Sequence, residues 1–159
     1  MVRTGIGYDA HRFGEGRRLV LGGVEIASAR GLEGHSDADV LTHAIADALL
    51  GAIGERDIGH HFPNTDESIR GISSLEILRR VGELLQENKC RIVNVDATLI
   101  AEAPKIGPHL AAMRGKIAAT LGLELTRVGI KATTNEGMGA IGREEGMAAM
   151  AVASVEQVA

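Results

Sequence analysis

The chain has 159 residues, a formal net charge of −4, 45% hydrophobic and 24% charged residues, a balance that argues against disorder and makes one domain the expectation. No apolar run approaches the ~20 residues of a membrane span, Met1–Gly7 lacks the apolar core of a signal peptide, and the interspersed charges leave no basic stripe for nucleic acid. The single cysteine, Cys90, rules out an internal disulfide and makes a reducing cytoplasm the expected setting. Only three residues are aromatic (Tyr8, Phe13, Phe62) while 21 are glycine. The core must then be built from Ile, Leu, Val, Ala and Met in thin layers, with loops in which the main chain itself makes contacts.

Along the chain, Val2–Asp9 and Leu19–Ile26 read as strands joined by a turn at Gly14–Arg18. Ser36-Asp37-Ala38-Asp39 opens a helix to about Ile53, with Leu41, Ile45, Ala48, Leu49 and Ala52 at helical spacing and Ser36 as the expected N-cap. A polar loop, Gly54–Gly71, follows. Ser73 with Glu76 has the spacing of a capping box for a second helix to about Asn88. Arg91–Ala101 reads as a strand, Pro108 suits the first turn of a third helix that Gly122 ends, and Arg127–Thr134 reads as a strand. Asn135–Gly146 is a glycine-rich loop before a last strand, Met147–Val155. This order predicts an α+β fold with a mixed sheet and helices mainly on one face. Met147–Val155 carries small apolar residues on both faces, so both faces are expected to be buried, the second by another copy of the chain.

Five of the six histidines precede residue 62. Asp9 and His11, two apart on an extended segment, share a face. His43 lies inside the first helix, with Asp39 and Asp47 four residues to either side. One carboxylate oxygen and two imidazole nitrogens suit zinc with a fourth, open position, and Asp39 or Asp47 is expected to hold the free ring nitrogen of a ligand histidine. The same Asp-x-His spacing is equally ordinary for surface histidines. His35-Ser36, between Gly34 and a helix start, is placed to offer backbone N–H groups to an anion. Gly137-Met138-Gly139-Ala140-Ile141-Gly142 matches the G-x-G-x-x-G string, but too little chain follows it for a dinucleotide-binding unit. Lys131–Glu136, at a strand end, offers two hydroxyls and a carboxylate, a set able to hold phosphate and a hard cation together.

The segments GYDAHRF, GHSDADVLTHAIADALLGA, DIGHHFPNTD, AEAPKIGPH and KATTNEGMGAIGREEG occur in this order. Together they resemble, over essentially the whole chain, the 2-C-methyl-D-erythritol 2,4-cyclodiphosphate synthases of the non-mevalonate isoprenoid pathway. The resemblance implies Asp9, His11 and His43 as zinc ligands, His35 and Thr134 as groups that stabilise the transition state, and Glu136 as the carboxylate holding a second divalent cation, magnesium or manganese. It implies Asp57, Ile58 and Gly59 as ribose contacts, and Phe62, Pro63, Asn64, Thr65 and Asp66 as the methylerythritol loop. Ala101, Glu102, Ala103, Pro104, Lys105, Ile106 and Gly107 would form the cytosine pocket. Further substrate contacts fall to Asp9, His11, Ser36, Thr133, Asn135, Ala140 and Arg143. It also implies a homotrimer with each active site shared between neighbours, acting on a cytidine-diphosphate-linked small molecule and releasing CMP.

The implied reaction explains what the chain lacks. The substrate's own 2-phosphate is the nucleophile, so no activated Ser or Cys is needed, and catalysis reduces to orientation and charge neutralisation. With so few aromatics, the base is expected to be read by main-chain groups of residues 101–107. Asn64 stands where the family commonly has Asp, and Gly107 where it has a larger apolar residue. Ala140 and Met150 replace a Phe and a Glu that in relatives line a cavity on the trimer axis, so prenyl diphosphates are expected to bind there weakly or not at all. The alternative expectation is a trimeric nucleotide-binding protein without turnover.

Overall fold

The computed structural model describes all residues, Met1–Ala159. Its first strand, β1 (Val2–Glu15), outruns the expected Val2–Asp9 and continues through Asp9 and His11. Partners along its whole length keep it extended. The last strand, β7 (Gly146–Gln157), pairs antiparallel with it from Val2 opposite Glu156 to Arg12 opposite Gly146. Beyond that, a short unforeseen strand, β4 (Arg30–Leu32), pairs with Phe13–Glu15. The expected single strand Leu19–Ile26 is instead a hairpin of β2 (Leu19–Leu21) and β3 (Val24–Ile26). It folds back at Gly22-Gly23, both in the left-handed region that glycine adopts without strain.

The first helix, α1 (Val40–Ile53), is capped by Asp39 rather than Ser36. Asp39 Oδ1 accepts from the Thr42 N–H at 3.0 Å, the bond that an N-cap carboxylate makes to the third helical amide. The expected loop Gly54–Gly71 contains one helical turn, α2 (Ile58–His61), and a 3-10 turn at Glu67–Ile69. The helix α3 (Ser74–Glu87) starts where expected, but the Ser73–Glu76 capping box does not form. Glu76 turns instead to Arg79 and Arg80, while the Ser74 N–H donates to Asp37 Oδ2 at 2.9 Å. The strand β5 (Cys90–Ile100), the helix α4 (Leu110–Leu121) stopped by Gly122, and the strand β6 (Val128–Thr133) match expectation to within a residue or two. The glycine-rich loop holds one more turn, α5 (Gly139–Gly142).

The main sheet runs β4-β1-β7-β5-β6, with every pairing antiparallel except β5–β6. This is the expected mixed sheet of an α+β fold, with α1 lying across β1, β7 and β5, and α3 and α4 extending the same layer. Eleven of the 14 residues of α1 are buried, so its polar residues do not form the solvated stripe that their spacing suggests. The helix sits almost on the sheet backbone. A Cβ added at Gly5 would lie 2.0 Å from the Ala48 carbonyl oxygen, and one at Gly7 1.9 Å from that of Ala44. Beneath it β7 offers Met147, Ala149, Ala151, Ala153 and Val155, all buried in one 34-residue apolar core.

The other face of the sheet carries no helix. Ile6, Tyr8, Met150 and Val152 are 68%, 60%, 44% and 45% exposed. Within one chain only the face of β7 under α1 is covered, and the other is left for the second copy expected there.

Candidate active site

Residues 5, 7, 9 and 11 of β1 point to one side, the side that α1 covers. The glycines let the helix come close, and the next two residues in the series, Asp9 and His11, then meet His43 near its start. Asp9 Oδ2 lies 2.9 Å from His11 Nε2 and 3.2 Å from His43 Nδ1. One donor atom from each of the three lies within 4.8 Å of the others. His43 is buried and the other two are partly open.

The free ring nitrogen of His43 has a partner, but neither of the expected aspartates. His43 Nε2 lies 3.2 Å from Ser36 Oγ; with Nε2–H donated there, Nδ1 would be free to turn a lone pair to a cation held beside Asp9 and His11. Asp39 does something else. Fully buried, it accepts from the Gly22, Gly23 and Thr42 N–H groups and from the Thr42 and Ser74 hydroxyls, all at 2.7–3.0 Å. One carboxylate thus ties the β2–β3 turn to the starts of α1 and α3. Asp47 accepts at 2.8 Å from the Ile58 N–H.

The electrostatics of the three-residue cluster favour a cation. Burial pushes the Asp9 carboxyl up, but the adjacent His11 and His43 imidazoles outweigh it and bring it down to about 2. Burial likewise opposes a charge on His43, yet its bond to Asp9 and the negative charges of Asp39, Asp9 and Asp37 raise its pKa above the ordinary imidazole value. His11 Nε2 is a buried nitrogen without a well-aligned hydrogen bond, despite the nearby Asp9 oxygen. An orphaned imidazole nitrogen, a second imidazole with its far side tied down and a carboxylate held ionised make a donor set that fits a divalent metal with N/O preference.

The three side chains stand in the wall of a cavity of about 450 Å³. Of the residues expected at the site, His35, Ser36, Asp57, Ile58, Gly59, Phe62 and Asn64 share that wall. Pro63, Thr65 and Asp66 do not, although the Asp66 carbonyl oxygen lies 3.1 Å from His35 Nε2. Asp47, expected beside a ligand histidine, lines it too, as does an apolar floor of Ile69, Ile72 and Ile77 that was not expected there.

The remaining expected residues form a second, separate cluster at the same end of the sheet. Ala101 N–H donates to the Thr133 carbonyl at 3.0 Å, and Glu102 Oε1 accepts from the Asn135 and Gly137 N–H groups at 3.0 Å each. Residues 101–107 and 133–136 are therefore one joined surface, with Glu136 exposed in left-handed backbone. None of it lines the cavity. The reason is the strand order: β1 is three places from β6, about 14 Å at the usual strand spacing. Ala140 lines a smaller hollow behind His11, and Arg143 is paired with Glu145 at 2.6 Å.

Fold and site together define a class: small α+β proteins with a mixed sheet whose end carries an Asp-His-His metal-binding cluster opening into a ligand-sized cavity. Within it, the chain belongs to the YgbB family, whose model matches residues 2–156. It is 64% identical over 151 residues to the 2-C-methyl-D-erythritol 2,4-cyclodiphosphate synthase of Symbiobacterium thermophilum, covering 95% of this chain and 96% of that one. It is 59% identical to the synthase of the same name from Chlorobium phaeobacteroides, covering 98% of both chains. Among solved structures, the bifunctional IspDF of Campylobacter jejuni superposes with a TM-score of 0.95 at 41% identity, covering 99% of this chain and 43% of that longer one. The CDP complex of IspF from Plasmodium falciparum gives a TM-score of 0.86 at 32% identity, covering 99% and 97%.

Proposed function

We propose that this chain converts 4-diphosphocytidyl-2-C-methyl-D-erythritol 2-phosphate to 2-C-methyl-D-erythritol 2,4-cyclodiphosphate with release of CMP, as a phosphorus–oxygen lyase of isoprenoid biosynthesis. The observation that carries this reading is the Asp9–His11–His43 cluster in its cavity, in a chain 64% identical to a synthase of that name over nearly all its length. Its own residues divide the task. Asp9, His11 and His43 hold zinc, and Glu136 holds magnesium or manganese. A divalent cation in such a site, when bound, withdraws charge from phosphate oxygens. His35 and Ser36, with the backbone N–H groups around them, bind the phosphate end, and Thr134 joins them in stabilising the developing charge. Asp57, Ile58 and Gly59 take the ribose and Phe62–Asp66 close over the methylerythritol. Residues 101–107, with Thr133, Asn135, Ala140 and Arg143, receive the cytosine and remaining phosphate contacts. What the protein contributes is alignment of the 2-phosphate with the β-phosphorus, the kind of orientation that supplies roughly 7–11 kcal/mol.

We propose further that the active unit is a homotrimer. The two clusters of expected site residues are separated within one chain, so a neighbour's 101–107 and 133–136 surface would complete each cavity. The uncovered sheet face of Ile6, Tyr8, Met150 and Val152 supplies the apolar surface such an assembly needs. Phosphorus NMR of the purified protein with the substrate tests the activity. Cyclic diphosphate with free CMP is the expected outcome; unchanged substrate, or a linear phosphate product, overturns it.

A further inference from the structure

Asp47 lies on α1 one turn beyond His43, and its carboxylate lines the cavity with the Asp9–His11–His43 cluster. Its Oδ1 accepts a 2.8 Å hydrogen bond from the Ile58 N–H, the first amide of α2. An amide at that position has no acceptor within its own helix. The cap residue Asp57 does not serve it either, because its carboxylate accepts from the Gly59 N–H at 3.1 Å. Two carboxylates thus take the first two amides of this turn, and of the two it is Asp47 that ties the turn to another element. A single helical turn cannot hold its own shape in water; this one is fixed by what it is bonded to.

The electrostatic setting of Asp47 shows which property of the side chain matters. Burial and the negative charges of Asp57 and Asp9 raise its pKa, while the Ile58 N–H and His43 oppose the shift. The negative charge is therefore costly at this position, and the oxygen acceptor is what the structure uses.

We propose that Asp47 is a positioning residue that sets the distance between the metal-binding cluster and the Asp57–Gly59 segment, so that the two ends of one nucleotide diphosphate are held in register. This rests on the reading above, in which Asp57–Gly59 contact the ribose. Asp47 itself need not touch the ligand: α1 carries His43 and Asp47 as a rigid ruler, and the bond to Ile58 transfers that spacing to α2.

The test is calorimetric titration of the zinc-loaded full-length protein with CDP, together with zinc content per chain and steady-state kinetics. Asp47→Ala is expected to weaken CDP binding roughly ten-fold, the effect of losing one hydrogen bond. It should raise KM by a similar factor while kcat stays within about two-fold, because the groups around the phosphates are untouched. Asp47→Asn keeps an oxygen acceptor and is expected to stay within about two-fold of the parent in both. Zinc content should be unchanged throughout. A merely structural role would lower stability and kcat together, without the KM-specific effect or the rescue by Asn. Should Asp47→Ala not fold, Asp47→Asn still decides. The Ile58 amide is then expected to exchange with solvent as slowly as in the parent; free exchange, or ten-fold weaker CDP binding, overturns the proposal. Parent-like CDP binding by Asp47→Ala, or zinc loss from it, overturns it as well. A parent protein that fails to bind CDP overturns the underlying functional reading and this inference with it. Parent binding alongside an unaffected Asp47→Ala overturns this inference alone.

Discussion

Two aspartates, one capping α1 and one on β1, show how differently one residue type is used. Asp39 is fully buried and accepts five hydrogen bonds from three segments, so its removal strands donors that no water reaches. Asp39→Ala is expected to cost about 3 kcal/mol or more of stability, read as a lower urea midpoint at unchanged slope; a loss below about 1 kcal/mol would show that the donors find other partners. Asp9 and His43 act in the opposite sense, as groups waiting for a cation. In the metal-free protein, protonated His43 among Asp9, Asp37 and Asp39 contributes stability that is fully present below the ordinary imidazole value of 6.5 and lost as pH rises through its raised folded value. Asp9, lowered to about 2 from 3.8, contributes stability that is present above 3.8 and lost as pH falls toward 2. Both contributions are complete between those two ordinary values. Chelator-treated protein should then lose stability as pH rises above 6.5 and through the raised folded value of His43, whereas metal-loaded protein, whose His43 Nδ1 carries no proton, should not. Denaturation midpoints across that range check it, and parallel curves would refute it.

At the scale of the elements, close approach between α1 and the sheet is what sets the site. Gly5 and Gly7 bring the helix onto β1, and the strand's period of two then delivers Asp9 and His11 to the same seam. Gly7→Ala would put a methyl group 1.9 Å from the Ala44 carbonyl oxygen, beside His43. It is expected to cost roughly 3 kcal/mol and to lower zinc occupancy as well, because the helix can only escape by carrying its imidazole away. Full occupancy at parent stability would show that the seam yields. The helices α1, α3 and α4 and the strands β5, β6 and β7 were legible from periodicity and from the stops at Pro108 and Gly122. The metal-binding cluster was legible as well, because Asp-x-His on an extended segment fixes a shared face. Other features were not legible because they depend on distant partners. Ser36 looked like a cap, yet Asp39 takes that place and Ser36 turns to His43. The Ser73–Glu76 spacing fitted a box, but two arginines draw the Glu76 carboxylate away from it. Asp47 lay in plain view at helical spacing from His43, but nothing local to it says that its partner is the amide of Ile58.

The whole molecule is lopsided: α1, α3 and α4 cover one face of the sheet, while the other face keeps Ile6, Tyr8, Met150 and Val152 exposed. If that face is where three copies meet, a charge planted in it should separate them. Val152→Asp is expected to shift the sedimenting species from three-chain to one-chain mass, leave the core on the α1 side intact, and abolish turnover, since each cavity would lose the neighbour that completes it. A one-chain mass for the unaltered protein at micromolar concentration would refute the trimer. A monomeric Val152→Asp that keeps full activity would refute the sharing of sites.

Because β7 is the only strand joining β1 to β5, two of the three proposed metal ligands are synthesised near the start of the chain and held in place by its end. A ribosome-bound chain that stops short of Gly146 has Asp9 and His11 on a strand paired only at Phe13–Glu15, so the sheet cannot zip up progressively behind the exit tunnel. Completion of the candidate metal pocket is then expected among the last events of folding, so that metal capture would report on a finished sheet rather than guide its assembly.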